Sequence, residues 1–402
     1  MSPLFSRGTK PTPSCDAPVS KVPLLDIGRE NTMLEADILA SLTHVMRSGR
    51  FVLGPEVQQL EQRIARQCKT PHAVGCASGS DALLLALMAI GIEPGDEVIV
   101  PSFTFFATAS AVWRLGGVPV FVDIDPDTYN VAPEAIRAAV TDKTKAIIPV
   151  HLFGRPADMQ SINTIAAEHD LRVIEDAAQA IGAATADGPV GSLGDIACFS
   201  FYPTKNLGGF GDGGMLTTIS DELADQLQLL RGHGMRPRYY HEVVGVNSRL
   251  DTMQAVVLNV KLPQLETWSK TRADNAARYI DLFREAGVDD RITLPSMCEG
   301  GDVSVWNQYT IRVPEGRDEL RAYLAKNNVG TEIYYPVPLH QQECFQSVEQ
   351  RFALPETERA AAEVLSLPVF PTMTLAEQKT VVIRIAEFLE SQTGTSENRD
   401  AA

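Results

Sequence analysis

The chain has 402 residues, of which 44% are hydrophobic and 21% charged, enough apolar material for a sizeable core and for more than one domain. Its formal net charge of −16 excludes the basic footprint of a nucleic-acid surface, so no nucleic-acid partner is expected. No apolar stretch is long enough for a bilayer span and the first residues lack the apolar centre of a signal peptide. The six cysteines show no paired spacing, so neither a zinc knuckle nor a disulfide framework is indicated, and a soluble protein of the reducing cytoplasm is expected.

The chain opens with a proline- and serine-containing tail, residues 1–20, too poor in apolar pattern to pack; residues 393–402 are expected to be a second disordered tail. From Glu56 onward, apolar helical segments (Val57 to Ala65, Ala82 to Ile90, Ala107 to Leu115, Pro133 to Val140, Met159 to Glu168) alternate with short strands (Ala73 to Cys76, Val98 to Val100, Val118 to Val122, Ala146 to Val150, Arg172 to Ile174). Such alternation predicts an α/β fold with a mostly parallel sheet between helices. Strands over Ile196 to Phe201 and Gly214 to Thr218 follow, then helix from Leu223 to Arg231. A long helical stretch from Thr252 to Ala277 is expected to lead from a large domain with an N-terminal arm (21–265) into a smaller C-terminal α/β domain (266–392), where strands at Trp306 to Val313 and Thr331 to Tyr335 flank a helix at Asp318 to Lys326.

Four segments on this frame carry chemistry. In Val74-Gly-Cys-Ala-Ser78-Gly79-Ser80-Asp81, a strand turns through small residues into an apolar helix, whose free amides and two hydroxyls suit a phosphate dianion; Ser-Gly-Ser serves plain helix capping equally well. In Val100-Pro-Ser-Phe-Thr-Phe105-Phe-Ala-Thr108, aromatic side chains follow a strand at the end of the sheet where a flat ligand could stack, with core packing as the alternative for each. In Val173-Ile-Glu-Asp176-Ala-Ala-Gln179, an apolar strand ends in acid, as a buried strand does when its carboxyl end opens into a site. In Ser200-Phe-Tyr-Pro-Thr-Lys205-Asn-Leu-Gly-Gly-Phe-Gly-Asp-Gly-Gly214, a lysine on a turn between strands is followed by five glycines that let backbone approach a ligand. The lysine precedes the glycines, which a Walker loop does not allow. A Schiff-base lysine together with a carboxylate for a pyridinium nitrogen is what pyridoxal phosphate requires. Given the net charge, an anionic substrate needs local cations such as Arg249 or Arg231. The dispersed histidines His151, His233 and His340 read as substrate-side or structural residues, and no metal site is expected.

From about Val22 to about Glu390 the chain resembles the sugar-nucleotide aminotransferases of the DegT/DnrJ type, pyridoxal-phosphate enzymes of fold type I. The resemblance is carried by Gly49-Arg-Phe-Val-Leu-Gly-Pro-Glu56, Ser78-Gly-Ser-Asp-Ala-Leu, Val120-Phe-Val-Asp-Ile-Asp, Pro149-Val-His-Leu-Phe-Gly-Arg-Pro-Ala-Asp158, Glu175-Asp-Ala-Ala-Gln, Phe199-Ser-Phe-Tyr-Pro-Thr-Lys and Asn247-Ser-Arg-Leu-Asp251. It implies that Lys205 binds the cofactor covalently, that Asp176 holds the pyridine nitrogen, and that Gln179 contacts the ring hydroxyl. It further implies that Gly79, Ser80 and Ser200 hold the phosphate, that Phe105 stacks on the ring, and that Asn247 reaches the phosphate of a neighbouring subunit, making a homodimer with shared sites. Glutamate and a nucleotide-linked keto-sugar are the implied substrates, with Arg249 and His340 on the substrate side and a lean toward amination of carbon three. The family commonly has threonine where Ser80 stands, and serine keeps the hydroxyl donor. A dehydrating branch replaces the lysine with histidine, so Lys205 disfavours a sugar dehydratase; a regulatory or sensory protein that merely retains the fold is disfavoured by the intact Lys205, Asp176 and Gln179.

Overall fold

The computed structural model describes residues 19–396, and side chains through residue 392; of the two expected tails, 1–18 and 397–402 lie outside the described residues, while residues 393–396 continue the helix Leu375–Ser396. Among the described residues, nine strands precede the long helical stretch: β1 (His72–Cys76), β2 (Glu97–Pro101), β3 (Val118–Val122), β4 (Thr144–Ile147), β5 (Arg172–Asp176), the two-residue pair β6 (Ala184–Thr185) and β7 (Gly188–Pro189), β8 (Ile196–Ser200) and β9 (Gly214–Thr218). Seven of them form one sheet in the order β1-β9-β8-β5-β4-β2-β3, parallel throughout except for β9. Val98, Ile99 and Val100 are fully buried, as in a strand covered on both faces. Helix Gly79–Ala89 buries six successive residues, Ala82 to Leu87, and has no polar face because it lies against the sheet and helices Ala107–Arg114 and Asp221–Leu230. The architecture is the expected α/β one, a mostly parallel sheet between helices. The parallel strands all point their carboxyl ends at one edge, so the residues just after β1, β2, β5 and β8 meet there.

Outside this sheet the chain differs from expectation in several places. The stretch from Thr252 is two helices, Thr252–Lys261 and Leu265–Glu285, joined by a 3₁₀ turn at Leu262–Gln264, because Pro263 has no N–H to continue the α-helical ladder. The strand expected over Trp306 to Val313 shrinks to β10 (Tyr309–Arg312), since Trp306 takes a left-handed φ of 49°. Its partner is the unforeseen β11 (Val364–Leu367), whereas Thr331 to Tyr335 forms only an isolated bridge from Glu332 to Ser366 before Pro336 ends any ladder. Helices Ile27–Met33, Glu35–Ser48, Pro355–Glu363 and Leu375–Ser396 were likewise not anticipated. A second apolar core, with Tyr279, Phe283, Leu320, Leu324 and Ile385 fully buried, surrounds β10 and β11 and takes in Val22 from the amino-terminal segment.

Neighbours on a strand face opposite sides of a sheet, and at the end of β5 this separates two buried acids. Glu175, fully buried, accepts hydrogen bonds from the backbone N–H of Gly191 (3.0 Å), Leu193 (2.8 Å) and Gly194 (2.8 Å), and from His151 Nε2 (3.0 Å). Because His151 Nδ1 accepts from the Ala157 N–H (3.0 Å), the ring is the neutral tautomer with its proton toward Glu175. Glu175→Ala orphans four donors, two of them buried and two partly buried, and is expected to lower unfolding free energy by about 3–5 kcal/mol in urea titration. Glu175→Gln, which keeps an acceptor oxygen, should lose clearly less; equal losses would show that the acceptor role is not what matters.

Candidate active site

Lys205 closes a tight turn, its N–H bonded to the Tyr202 carbonyl at 2.9 Å. A Cβ on Gly208 would stand 2.3 Å from the Pro203 carbonyl oxygen, so only glycine allows the chain to fold back behind the lysine. The buried Lys261 ammonium donates to the Gly208 carbonyl at 2.9 Å and pins that return. Protein surrounds the Lys205 amine although the residue as a whole is partly exposed, and this burial brings its pKa down to about 8, the Asp176 charge opposing the shift. Asp176, 5% exposed, accepts hydrogen bonds from Thr108 Oγ1 (2.7 Å) and the Ala178 N–H (3.2 Å). Burial raises its carboxyl above the usual range, and those hydrogen bonds and the Lys205 charge pull it back.

A cradle lies beside this pair. Ser78 caps helix Gly79–Ala89 through the Asp81 N–H (3.1 Å), while the N–H groups of Gly79 and Ser80 have no partner among the described residues. Ser200, at the end of β8, closes the cradle: a Cβ on Gly79 would sit 2.7 Å from the Ser200 Cβ, so glycine is what lets helix and strand meet. Phe105 is 56% exposed at the mouth, its ring centroid 6.2 Å from that of Tyr335. Gln179 is buried; its Oε1 accepts from the Phe153 N–H (2.6 Å) and its Nε2 donates to Tyr335 Oη (3.2 Å).

Thus Lys205 and Asp176 meet, Gly79, Ser80 and Ser200 meet, and Phe105 and Gln179 are joined through Tyr335. Thr108 and Tyr335 were not foreseen, and only their position after β2 and before Pro336 hinted at them. The cations divide. Arg231 is not available to a substrate: its guanidinium binds Glu61 (2.6 Å) and the Gly75 carbonyl (2.7 Å). Arg249 is half-buried and makes no hydrogen bond or ion pair among the described residues. His340 has both ring nitrogens engaged, Nδ1 with Ser102 Oγ (2.7 Å) and Nε2 with Glu358 (3.3 Å). Asn247 is exposed, and its neighbour Ser248 fastens the segment by accepting from the Ala77 N–H (3.1 Å) and donating to Asp81 (2.8 Å).

The donor set fits pyridoxal phosphate: unpaired helix-start amides for a dianion, a buried carboxylate for a protonated ring nitrogen, and an amine of lowered pKa for an aldehyde. No group of three or more metal-ligating side chains occurs among the described residues, and no helix there is long and apolar enough to cross a membrane.

Comparison with known proteins agrees with this chemistry. The family model described as "DegT/DnrJ/EryC1/StrS aminotransferase family" matches residues 32–386, and the chain belongs to that family. A "Pleiotropic regulatory protein" of Geobacillus stearothermophilus is 52% identical over 91% of this chain and 98% of its own. A "UDP-N-acetyl-3-dehydro-alpha-D-glucosamine 3-aminotranferase" of Acidithiobacillus ferrooxidans is 46% identical over 88% and 94%. The crystal structure of S. venezuelae DesV, in complex with a ketimine intermediate, superposes with a TM-score of 0.87 at 41% identity, covering 92% of this chain and 99% of that one. The protein is accordingly an aminotransferase that depends on pyridoxal phosphate.

Only a neutral amine attacks a carbonyl. The rate of covalent capture of pyridoxal phosphate by cofactor-free protein is therefore expected to rise about tenfold per pH unit and level off above about 8, the pKa to which burial lowers Lys205. Asp176→Asn removes the carboxylate that favours the ammonium and should move the midpoint down. Borohydride trapping and peptide mass spectrometry give both curves; a rate still climbing at pH 10 would contradict the lowered amine.

Proposed function

We propose that this enzyme transfers the amino group of glutamate to the keto group of a sugar carried on a nucleoside diphosphate, at carbon three, for amino-sugar biosynthesis leading to a polysaccharide or a glycosylated metabolite. The observation that carries this reading is the amine of lowered pKa beside a buried carboxylate at the carboxyl edge of the sheet. The names of several relatives support carbon three, among them the 3-aminotransferase of A. ferrooxidans and a "dTDP-3-amino-3,4,6-trideoxy-alpha-D-glucose transaminase" of Streptomyces venezuelae.

Bound pyridoxal phosphate supplies an electron sink for a carbanion. In this reading the residues of the chain do the rest. Asp176, oriented by Thr108 and the Ala178 N–H, keeps a proton on the ring nitrogen, which a desolvated carboxylate does more strongly than a solvated one. Lys205 would fix the cofactor through Nζ and, once free, would hold or move a proton on that atom; a pKa near 8 leaves part of it neutral at neutral pH. Gly79, Ser80 and Ser200 hold the phosphate, Phe105 covers the ring face, and Gln179 holds the ring hydroxyl. Arg249 is the cation for substrate phosphates, and His340, with both nitrogens engaged, holds the segment around Leu339–Gln341 over the sheet edge.

The complete enzyme in this reading is a cytoplasmic homodimer in which Asn247 reaches the partner's phosphate cradle. The exposure of Asn247, and of Phe51, Val52 and Leu53 beside the same segment, supports the dimer. The free cysteines Cys68, Cys76, Cys198, Cys298 and Cys344 support the reducing compartment.

Lys205→Ala is expected to abolish transamination and covalent cofactor binding with the circular dichroism unchanged. Asp176→Asn should still bind cofactor but lose about 10²–10⁴ in rate, because an amide cannot hold the ring nitrogen protonated. Near-normal turnover in either variant removes that residue from the mechanism. Assayed with a panel of nucleotide-linked keto-sugars and the corresponding sugar phosphates, the wild type should aminate a nucleotide-linked member; activity on free sugar phosphates alone would reject the nucleotide.

The shared site makes a separate prediction. Lys205→Ala and Asn247→Trp proteins, each inactive, should regain activity after subunit exchange, since one site of the mixed dimer holds both wild-type residues while the other carries both lesions. No recovery despite proven exchange would place Asn247 in its own chain's site or outside any site.

A further inference from the structure

The segment Pro149 to Asp158 takes no part in the chemistry above, yet it packs against the site and is held from several sides. Asn130, 3% exposed, accepts from the Leu152 N–H at 2.9 Å through Oδ1, and through Nδ2 donates to the carbonyls of Arg155 (3.1 Å) and Pro156 (2.9 Å). His151 fastens the turn between Glu175 and the Ala157 N–H. Gly154, at a φ of 90°, is so close to the following layer that a Cβ would lie 2.9 Å from the Asn307 nitrogen. The Phe153 carbonyl accepts from the Asn307 N–H at 2.9 Å.

These anchors hold Phe153 at φ 58° and ψ 11°, a left-handed conformation that a bulky residue adopts only when its surroundings impose it. The result is an N–H aimed at Gln179 Oε1, 2.6 Å away. A backbone N–H can only donate, so this contact decides which end of the Gln179 amide faces which way. The oxygen is committed to Phe153; the nitrogen points away from it, one hydrogen going to Tyr335 Oη at 3.2 Å and one remaining for a ligand. The terminal amide torsion is soft and roughly two-fold, so without the turn the same side chain could turn its oxygen to the site.

We propose that Asn130, through the His151 to Ala157 turn and the Phe153 amide, is a positioning residue that keeps Gln179 a hydrogen-bond donor toward the ring hydroxyl oxygen of the cofactor. The inference rests on the assignment of Gln179 to that oxygen. A negative ring oxygen gains from a donor and is repelled by an amide oxygen, so the orientation of Gln179 affects both cofactor affinity and the proton equilibria of the bound cofactor.

The test uses the reconstituted holoenzyme and two readouts other than turnover: the dissociation constant of pyridoxal phosphate and the pH midpoint of its visible absorbance. Gln179→Leu is expected to weaken binding about tenfold and raise the midpoint by about half a unit or more, because a donor to the oxygen is lost. Asn130→Ala should move both quantities in the same direction, and the double variant no further than Gln179→Leu alone, since the two residues act through one contact. Additive shifts, or wild-type values in Asn130→Ala, overturn the proposal. Wild-type values in Gln179→Leu overturn the underlying assignment with it. A further measurement needs no Asn130 variant to fold: amide hydrogen exchange at Phe153 in cofactor-free protein should be about tenfold faster in Gln179→Leu than in wild type, as an acceptor has been removed. Equal rates overturn the proposal.

Discussion

Burying two adjacent carboxylates at the end of one parallel strand is the constraint on which the rest of this structure depends. Each would be destabilising in an apolar interior unless satisfied, and the alternation of the strand sends them to different solutions. Glu175 faces backbone and is fully satisfied by three N–H groups and His151, so it fixes the loop that includes residues 191–194. Asp176 faces the cleft with fewer partners, Thr108, the Ala178 N–H and the charge of Lys205. That difference makes one carboxylate part of the scaffold and leaves the other able to stabilise a cation in a ligand.

The amine needs its own scaffold. Glycine at 208 lets the backbone double back under Lys205, glycine at 79 lets the helix start touch Ser200, and glycine at 214 lets β9 pass the Ser78 carbonyl, where a Cβ would come within 2.4 Å. The close approach of three elements thus enables a phosphate cradle, an amine and a carboxylate to share one edge of the sheet. A chain of net charge −16 repels anions at long range, but fields are screened beyond roughly 8 Å at physiological salt, so helix-start amides and Arg249 can dominate locally.

Much of this was legible in the sequence because buried parallel strands are short apolar runs with turns at both ends, and six of the seven strands of the sheet are of this kind, β9 being antiparallel. Lys205 and Asp176 stood out as polar residues in settings that are otherwise glycine-rich or apolar. Thr108 did not, for it lies in an apolar helix and meets Asp176 only across 68 positions; Tyr335 meets Gln179 across 156. Arg231 was indistinguishable from a free cation until Glu61 was seen beside it. The aromatic and β-branched run at Thr331 to Tyr335 suggested a strand, but its ladder is cut short at Glu332 and Tyr335 turns to the site. Of the two amino-terminal helices, the seven-residue first one buries only Glu30 and offers little pattern to read, whereas the second carries Ile38, Leu42 and Val45 at helical spacing and was legible in principle.

The central claim is that the desolvated Asp176 carboxylate keeps the cofactor ring protonated. Nitrogen-15 NMR of holoenzyme reconstituted with cofactor labelled at the ring nitrogen tests it most directly. The account predicts the chemical shift of a protonated ring nitrogen, unchanged through pH 8 and lost in Asp176→Asn. A ring nitrogen that is unprotonated at neutral pH in the wild type, or that titrates identically in the two proteins, would contradict it.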